Sequence, residues 1–205
     1  MKYLVPLLCI LLFSFQAVQA QTPEKADFWS FGLQSMELFQ EMLSIPNDAH
    51  HHDDLELNIK WTEKAFASRG FQTTRLKTAS VPLVLAEKKA RIPSQKTVLV
   101  YLQMDGQPVD PSFWYQDDPF KAVLKEQGRE GGWDQIPWAS LENNPDPDWR
   151  IFARSTSDAK GPVVMFLTAM DMLDSFSKDH PFNLKVIIDF EEEIGSPQLP
   201  EAVKT

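Results

Sequence analysis

The sequence predicts an α/β fold in which a mixed, mostly parallel central sheet is flanked by helices. Two helical patterns followed by two short strand patterns favour a mixed sheet. A continuous apolar run at 97–102 is typical of a strand buried on both faces, and the mostly apolar run 184–188 also reads as a buried strand. A segment with a helical core stripe, 161–176, precedes the second of these runs.

The first elements in the chain are two amphipathic helices. The first is predicted over 24–44, where Pro46 stops it, and the second over 54–68. Strands are predicted at 71–77 and at 81–88, and the proline near the start of the second makes it a candidate edge strand.

The later elements alternate between apolar runs and polar turns. The run 97–102 predicts a central strand, and 110–148 reads as a long irregular loop pinned by its tryptophans. A short strand is expected at 149–154, followed by the helix 161–176. The polar residues 103–108 follow the predicted strand 97–102. Open α/β sheets bind ligands at the carboxyl ends of such strands, so a ligand site is predicted there.

A run of three histidines, His50 to His52, lies in a polar turn before the second helix. Such a run invites a metal-site interpretation. Adjacent residues cannot share one helical face, which favours a solvated turn with Asp53 or Asp54 as the helix cap.

Composition bounds the class of protein. The 205 residues carry a net charge of −9, which argues against nucleic acid or an anionic membrane as partner. Residues 1–20 resemble a signal peptide cleaved after Ala20, which predicts a periplasmic or secreted protein with no stable membrane anchor after cleavage. The only cysteine, Cys9, lies within that peptide, so the mature chain lacks disulfides and thiolate chemistry.

Carboxylates follow three of the predicted strands: Asp105, Asp158 and the triplet Glu191–Glu193. If the strands are parallel, these ends converge. Converging carboxylates without a basic partner favour a multivalent cation. The alternative is that they are surface acids on an ordinary α/β domain.

These residues resemble, in order and spacing, the motifs of the di-zinc exopeptidases, a family that includes carnosinases, glutamate carboxypeptidases, aminoacylases and succinyl-diaminopimelate desuccinylases. The matching stretches are Asp105-Gly106, Ser157-Asp158-x-Lys160-Gly161 and Glu192-Glu193-Ile194-Gly195-Ser196. The resemblance implies a zinc-exopeptidase-like fold of the phosphorylase/hydrolase type over 21–205.

The resemblance also implies roles for the matching residues. Asp158 would bridge two zinc ions, with cobalt or manganese as alternative metals, and Glu193 would be a terminal ligand. Glu192 would be the general base that activates a metal-bound water. Asp105 would stand behind a zinc-ligating histidine. Glu191 is expected to be a neighbouring acid at the surface or behind the ligands.

Two departures from the family pattern matter. Gln103 stands where the family has a histidine, and an amide oxygen is a poorer zinc ligand than imidazole. The family also needs an acidic ligand and a histidine further along the chain, and a lid or dimerisation domain. We therefore expect 21–205 to be the N-terminal part of a metallopeptidase catalytic domain, with homodimerisation requiring the missing domain.

The resulting functional hypothesis is an exported metal-dependent exopeptidase or amidohydrolase acting on small peptides or N-acyl amino acids. The 205-residue chain alone is expected to be inactive. The alternative, favoured by Gln103, is a non-catalytic exported binding protein with the same fold.

Overall fold

The computed structural model describes residues 24–143, 145–176 and 180–204. The predicted signal peptide, 1–20, lies outside these residues. The helices and strands, in chain order, are α1 (Lys25–Leu43), α2 (His52–Ala67), β1 (Gln72–Leu76), β2 (Leu83–Lys88), β3 (Thr97–Gln103), β4 (Val123–Gln127), β5 (Trp133–Ile136), β6 (Arg150–Phe152), α3 (Gly161–Ser175), β7 (Asn183–Asp189) and α4 (Leu199–Ala202).

The main sheet has four strands in the order β1-β2-β7-β3. The predicted mixed α/β sheet flanked by helices is confirmed, but it is not mostly parallel. Only β3 and β7 pair in parallel, while β1–β2 and β2–β7 are antiparallel. The parallel pair places the carboxyl ends of β3 and β7 at one edge of the sheet.

The core lies between one face of this sheet and the first three helices. Alternate residues of β7 turn Leu184, Val186 and Ile188 towards it, and Met42 of α1 and Leu167 of α3 are completely buried against them. The opposite face carries a smaller cluster, in which Leu199 and Ala202 of α4 contact Leu83 and Ile187.

Two predictions about strand positions are wrong. In the described part of the chain β3 is an edge strand rather than a central one, and Leu99 on its outer face is 61% exposed. β2 lies between two neighbours rather than at an edge, because Pro82 precedes the strand and takes no place in its ladder.

The predicted irregular loop over 110–148 is also wrong in part. Its strands β4 and β5 form an antiparallel hairpin, and β6 pairs with the other side of β4. This three-stranded sheet meets the main core through Ala122 and Ile151. The ring centroids of Trp133 and Phe152 lie 5.1 Å apart, so this tryptophan packs the hairpin against β6.

The histidine run forms the start of α2. The helix begins at His52 with His51 as its N-cap, so Asp53 and Asp54 lie in the first turn rather than at the cap. His50 Nδ1 lies 2.9 Å from Asp48 Oδ1. Of the helices among the described residues, none combines the length and apolar character needed to span a membrane.

Candidate active site

The carboxyl ends of β3 and β7 lie side by side. Gln103, the last residue of β3, is opposite Asp189, the last residue of β7. The N–H of Met104 donates to the carbonyl of Asp189 over 2.9 Å, so the pairing extends one residue beyond the strands. The segments that carry Asp105 and the glutamate triplet therefore leave the sheet together.

Asp105 contacts the glutamate segment directly. Its Oδ2 accepts a hydrogen bond of 2.9 Å from the N–H of Glu193, while Oδ1 is buried without a partner among the described residues. The residue is only 1% exposed. Burial raises the pKa of Asp105 to about 7, and the charges of Asp189 and Glu193 act in the same direction against the hydrogen bond. This carboxyl therefore changes its charge near neutral pH.

The glutamate triplet divides into one buried and two half-buried residues. Glu191, expected as a neighbouring acid at the surface or behind the ligands, is 3% exposed and thus not at the surface. Its Oε1 accepts a hydrogen bond of 2.8 Å from Ser80, and its Oε2 has no partner in the described part of the chain. Glu192 and Glu193 are half-buried, and Gln107 donates to Glu193 Oε2 over 2.8 Å.

The surface-acid interpretation fails for two of these groups. Asp105 and Glu191 are desolvated, and a buried carboxylate with an unpaired oxygen is costly. That cost is typical of a functional site rather than of a solvated face.

Asp158 lies in the segment that precedes α3, and it is exposed. The peptide bond between Asp158 and Ala159 is cis. The segment is fixed at both ends by buried residues, Ser155 and Lys160. Its Ser155 end approaches the end of β3, because an added Cβ on Gly106 would lie 2.4 Å from Ser155 Oγ.

Gln103 is half-buried and lies beside the Tyr101 hydroxyl. That hydroxyl donates to Asp189 Oδ2 over 2.9 Å and lies 3.3 Å from Ser196 Oγ. Burial, together with the Asp189 carboxylate, raises the pKa of Tyr101 to about 12, which keeps the phenol protonated. Gln103, which stands where the family has a zinc-ligating histidine, is thus part of a polar network at the edge of the sheet.

The described residues do not form a metal centre by themselves. A zinc site needs three or more converging protein ligands. Among 24–143, 145–176 and 180–204, no three His, Cys, Asp or Glu side chains converge to hold a metal ion. An amide oxygen at Gln103 does not make up the deficit. The roles assigned to Glu192, Asp158 and Glu193 therefore stay predictions.

Sequence reasoning missed several residues that organise these strand ends. Asn47 lies in the turn between α1 and α2, is 1% exposed and donates to the Met104 carbonyl over 2.8 Å. Ser155, Tyr101 and Gln107 also reach the predicted segments. A polar residue in a turn gives no local signal of burial. The sequence signal that could have identified Gln107 is its position shortly after Asp105, following an apolar strand.

A groove at the other end of the main sheet is not connected with these residues. It lies where β3 and β7 begin, and its lining includes Gly70, Lys88, Thr97 and Asn183. Because the candidate carboxylates are at the carboxyl ends of the same strands, this groove is not the substrate cleft of the predicted site.

Comparison with known proteins gives matches to metallopeptidases. Residues 122–204 match the model of Peptidase family M20/M25/M40. Over 123 residues the chain is 31% identical to Beta-Ala-His dipeptidase of Homo sapiens, covering 60% of this chain and 20% of that protein. It is 28% identical to a Cys-Gly metallodipeptidase of Schizosaccharomyces pombe, covering 60% and 21%. The match thus spans about a fifth of the length of these relatives.

Solved structures share the fold. A metallo-carboxypeptidase of the M20 family from Sulfolobus solfataricus matches with a TM-score of 0.64 and 26% identity, covering 83% of this chain and 34% of that one. Human carnosine dipeptidase 1 matches with a TM-score of 0.66 and 22% identity, covering 86% and 36%.

The family match, the curated relatives and the solved structures all confirm the resemblance that the strand-end motifs predicted. Residues 122–204 are thus similar to the peptidase family M20/M25/M40, and the fold of the chain is that of part of an M20 peptidase domain.

Proposed function

We propose that the protein is a metal-dependent exopeptidase that hydrolyses dipeptides or related N-acyl amino acids. The observation that carries the proposal is the contact between Asp105 and Glu193 where the parallel strands β3 and β7 end. It brings two of the three predicted motifs together within the part of the fold shared with M20 peptidases. The names of the curated relatives support a dipeptide substrate.

Glu192 is the general base in this proposal. It is half-buried and adjoins Glu193, whose N–H donates to Asp105. A carboxylate there accepts a proton from an attacking water. Zinc, cobalt or manganese would supply polarisation of the scissile carbonyl, two ions being the expectation for the family. Since the described residues do not close a metal centre, that metal needs further ligands.

The test is hydrolysis of a dipeptide panel by the longest natural form of the protein, with zinc, cobalt or manganese supplied. We expect turnover, and we expect Glu192→Gln to lower kcat by about a hundredfold or more while the melting temperature is kept. Glu201→Gln is the control, because Glu201 is an exposed partner of Lys204 and lies outside the motif segments. Full activity of Glu192→Gln would disprove the role of Glu192.

The 205-residue chain by itself is expected to turn over no dipeptide, because its described side chains do not hold a metal ion. The same assay on this chain, with metal content measured by mass spectrometry, checks the expectation. Two tightly bound zinc ions and turnover in this chain would contradict it.

The second candidate is a non-catalytic binding protein on the same fold. Gln103 favours it, because this residue replaces a histidine and lies in the Tyr101 network. Absence of hydrolysis by the longest natural form with every metal supplied would establish this alternative.

Export is proposed from residues 1–20. The expected result is a mature N-terminus at Gln21, measured by mass spectrometry on protein recovered outside the cytoplasm. A chain that keeps Met1 and stays in the cytoplasm would contradict the proposal.

A further inference from the structure

The turn between α1 and α2, residues 44–51, contacts both the end of β3 and the segment that carries Asp158. We call it the α1–α2 turn. Asn47 is its most connected residue: Nδ2 donates to the Met104 carbonyl over 2.8 Å and to Ser155 Oγ over 3.1 Å. Its own carbonyl accepts from the N–H of Gly106 over 2.8 Å. One side chain thus links two segments that are 57 and 108 residues away in the chain.

The backbone of the turn follows the end of β3 closely. The N–H of Ala49 donates to the Gly106 carbonyl over 3.1 Å, and Asp48 pairs with Gly106 as a parallel bridge. Gly106 is required here, because a Cβ would lie 2.4 Å from Ser155 Oγ and 3.2 Å from Asn47 Nδ2. The residue directly after Asp105 is therefore fixed against the turn.

The Asp158 segment is held at both ends by the region where α1 ends. At one end Ser155 exchanges hydrogen bonds with Asn47. At the other end the completely buried Lys160 donates through Nζ to the carbonyls of Met42, over 2.7 Å, and of Ile45, over 2.6 Å. Burial lowers the pKa of Lys160 to about 7, and its amine donates to these carbonyls whether or not it carries the charge. Asp158 lies between these two anchors and is itself exposed.

We propose that Asn47 is a positioning residue that sets the place of Asp158 relative to Asp105 and, through Asp105, to Glu193. The catalytic significance of this placement rests on the proposed function. Asn47 is 1% exposed and cannot itself meet a substrate, so its effect on chemistry passes through the segments it joins. Small displacements of reacting groups lower reaction rates strongly. A residue that fixes the relative positions of these carboxylates therefore affects the rate of the proposed reaction.

The structural test compares Asn47→Ala with Asn183→Ala in the 205-residue chain. Asn183 is the control: it is half-buried, its Nδ2 donates to the Ser94 carbonyl and its Oδ1 accepts from the N–H of Ala90, and these contacts lie where β7 begins, at the opposite end of the sheet from the α1–α2 turn. Amide hydrogen exchange by NMR is read at the N–H of Glu193, which bonds Asp105, and of Lys160, which bonds the Ser155 carbonyl.

In Asn47→Ala we expect protection of these two amides to fall by about tenfold or more beyond the change in global stability. In Asn183→Ala they should follow global stability alone. Ser155→Gly is the second variant should Asn47→Ala fail to fold, because glycine suits the left-handed φ of 59° at this position while the hydroxyl is lost. Equal exchange patterns in the Asn47 or Ser155 variant and in the Asn183 variant would overturn the proposal.

The functional test uses the longest natural form of the protein. We expect Asn47→Ala to lower kcat for dipeptide hydrolysis by about ten- to a hundredfold at nearly unchanged KM, and Asn183→Ala to keep kcat. An unchanged kcat in Asn47→Ala would overturn the positioning role. If the unmodified protein hydrolyses nothing while the exchange results hold, the placement by Asn47 is supported and the proposed function is what fails.

Discussion

Asp105 is almost completely buried, and its side chain accepts a hydrogen bond from the N–H of Glu193. Its pKa is about 7 in the folded chain against an ordinary value of 3.8. An acid whose folded pKa is raised binds its proton more tightly in the folded state. The free energy of unfolding therefore falls as pH rises from about 4 to about 7, at a rate of at most ~1.4 kcal/mol per pH unit.

Asp105→Asn should remove this pH dependence in metal-free protein, because the amide oxygen can still accept from Glu193 and carries no charge. We expect the variant to match the unmodified chain near pH 4 and to exceed its unfolding free energy by about 2–4 kcal/mol at pH 8. Urea denaturation in EDTA at both pH values measures it, with the exposed Asp148→Asn as control. A variant no more stable than the unmodified chain at pH 8 would show that Asp105 stays ionised without cost.

Gln103→His tests whether the glutamine at position 103 limits the affinity of the chain for zinc. Imidazole is a better zinc ligand than an amide oxygen, and Asp105 lies two residues away at the same strand end. We expect zinc affinity of the 205-residue chain to rise by at least about tenfold, measured by titration calorimetry. Gln103→Asn, which keeps an amide, should leave it unchanged. Equal affinities in both variants would mean that position 103 does not face the metal.

At the ends of β3 and β7, the sequence analysis identified the carboxylates as candidate site residues but missed the neutral residues Asn47 and Tyr101. Asp105 and Glu193 were found because carboxylates after apolar strands are unusual. Asn47 and Tyr101 were not found, because their importance lies in partners far along the chain: Met104 and Ser155 for the asparagine, Asp189 for the tyrosine. Spacing along one segment contains no information about such pairs.

Arg75 of β1 forms hydrogen bonds and ion pairs with helix α2. Arg75 on the strand donates to Glu56 over 2.9 Å and to Glu63 through two bonds of 2.8 Å, with all three side chains about one-third exposed. The hydrogen bond from Arg75 lowers the pKa of Glu63. Both glutamates lie on α2 and meet a single planar guanidinium, so the geometry of the fork matters as well as its charge.

Arg75→Lys should lower the unfolding free energy by about 1 kcal/mol, because an ammonium cannot make the paired bonds to both glutamates. Screening by solvent keeps the figure small, and the difference should shrink at high salt. Urea denaturation at low and high sodium chloride measures it. Lys204→Met is the control, since Lys204 forms an exposed pair with Glu201 outside this network. A salt-independent loss would indicate packing rather than charge.

Elements with strong periodicity were predicted well. α1 and α3 begin and end within about one residue of their expected bounds. The hairpin β4–β5 was missed because β5 has only four residues, most of them exposed, and its stability comes from pairing with a strand that itself pairs with β6. β3 was placed in the sheet centre because apolar residues occupy both its faces, although Leu99 is exposed.

At the scale of the whole molecule, one end of the main sheet collects the family motifs. The parallel pairing of β3 and β7 brings Asp105 to Glu193, and the α1–α2 turn joins this edge to the Asp158 segment. The arrangement places carboxylates at one edge of the sheet, but no three of the described His, Cys, Asp or Glu side chains converge to hold a metal.

The response of stability to metal follows from that arrangement. A cation that binds only the folded state stabilises it by RT ln(1 + [L]/Kd). A loose site with Kd of about 1 mM, at about 1 mM zinc or manganese, contributes ~0.4 kcal/mol and raises Tm by about 1–2 °C. A complete site with Kd of about 1 μM would contribute ~4 kcal/mol and raise Tm by about 8–16 °C.

We expect the small shift for the 205-residue chain and the large one for the longest natural form of the protein. The net charge of −9 attracts any divalent cation weakly, so magnesium at equal concentration is the control for unspecific binding. Differential scanning fluorimetry with and without EDTA measures the shifts. Because a loose carboxylate pair does not distinguish strongly between divalent ions, zinc should exceed magnesium only where further ligands complete the coordination. A large zinc-specific shift in the 205-residue chain would contradict this expectation, because it would mean that this chain completes a zinc site from its own residues.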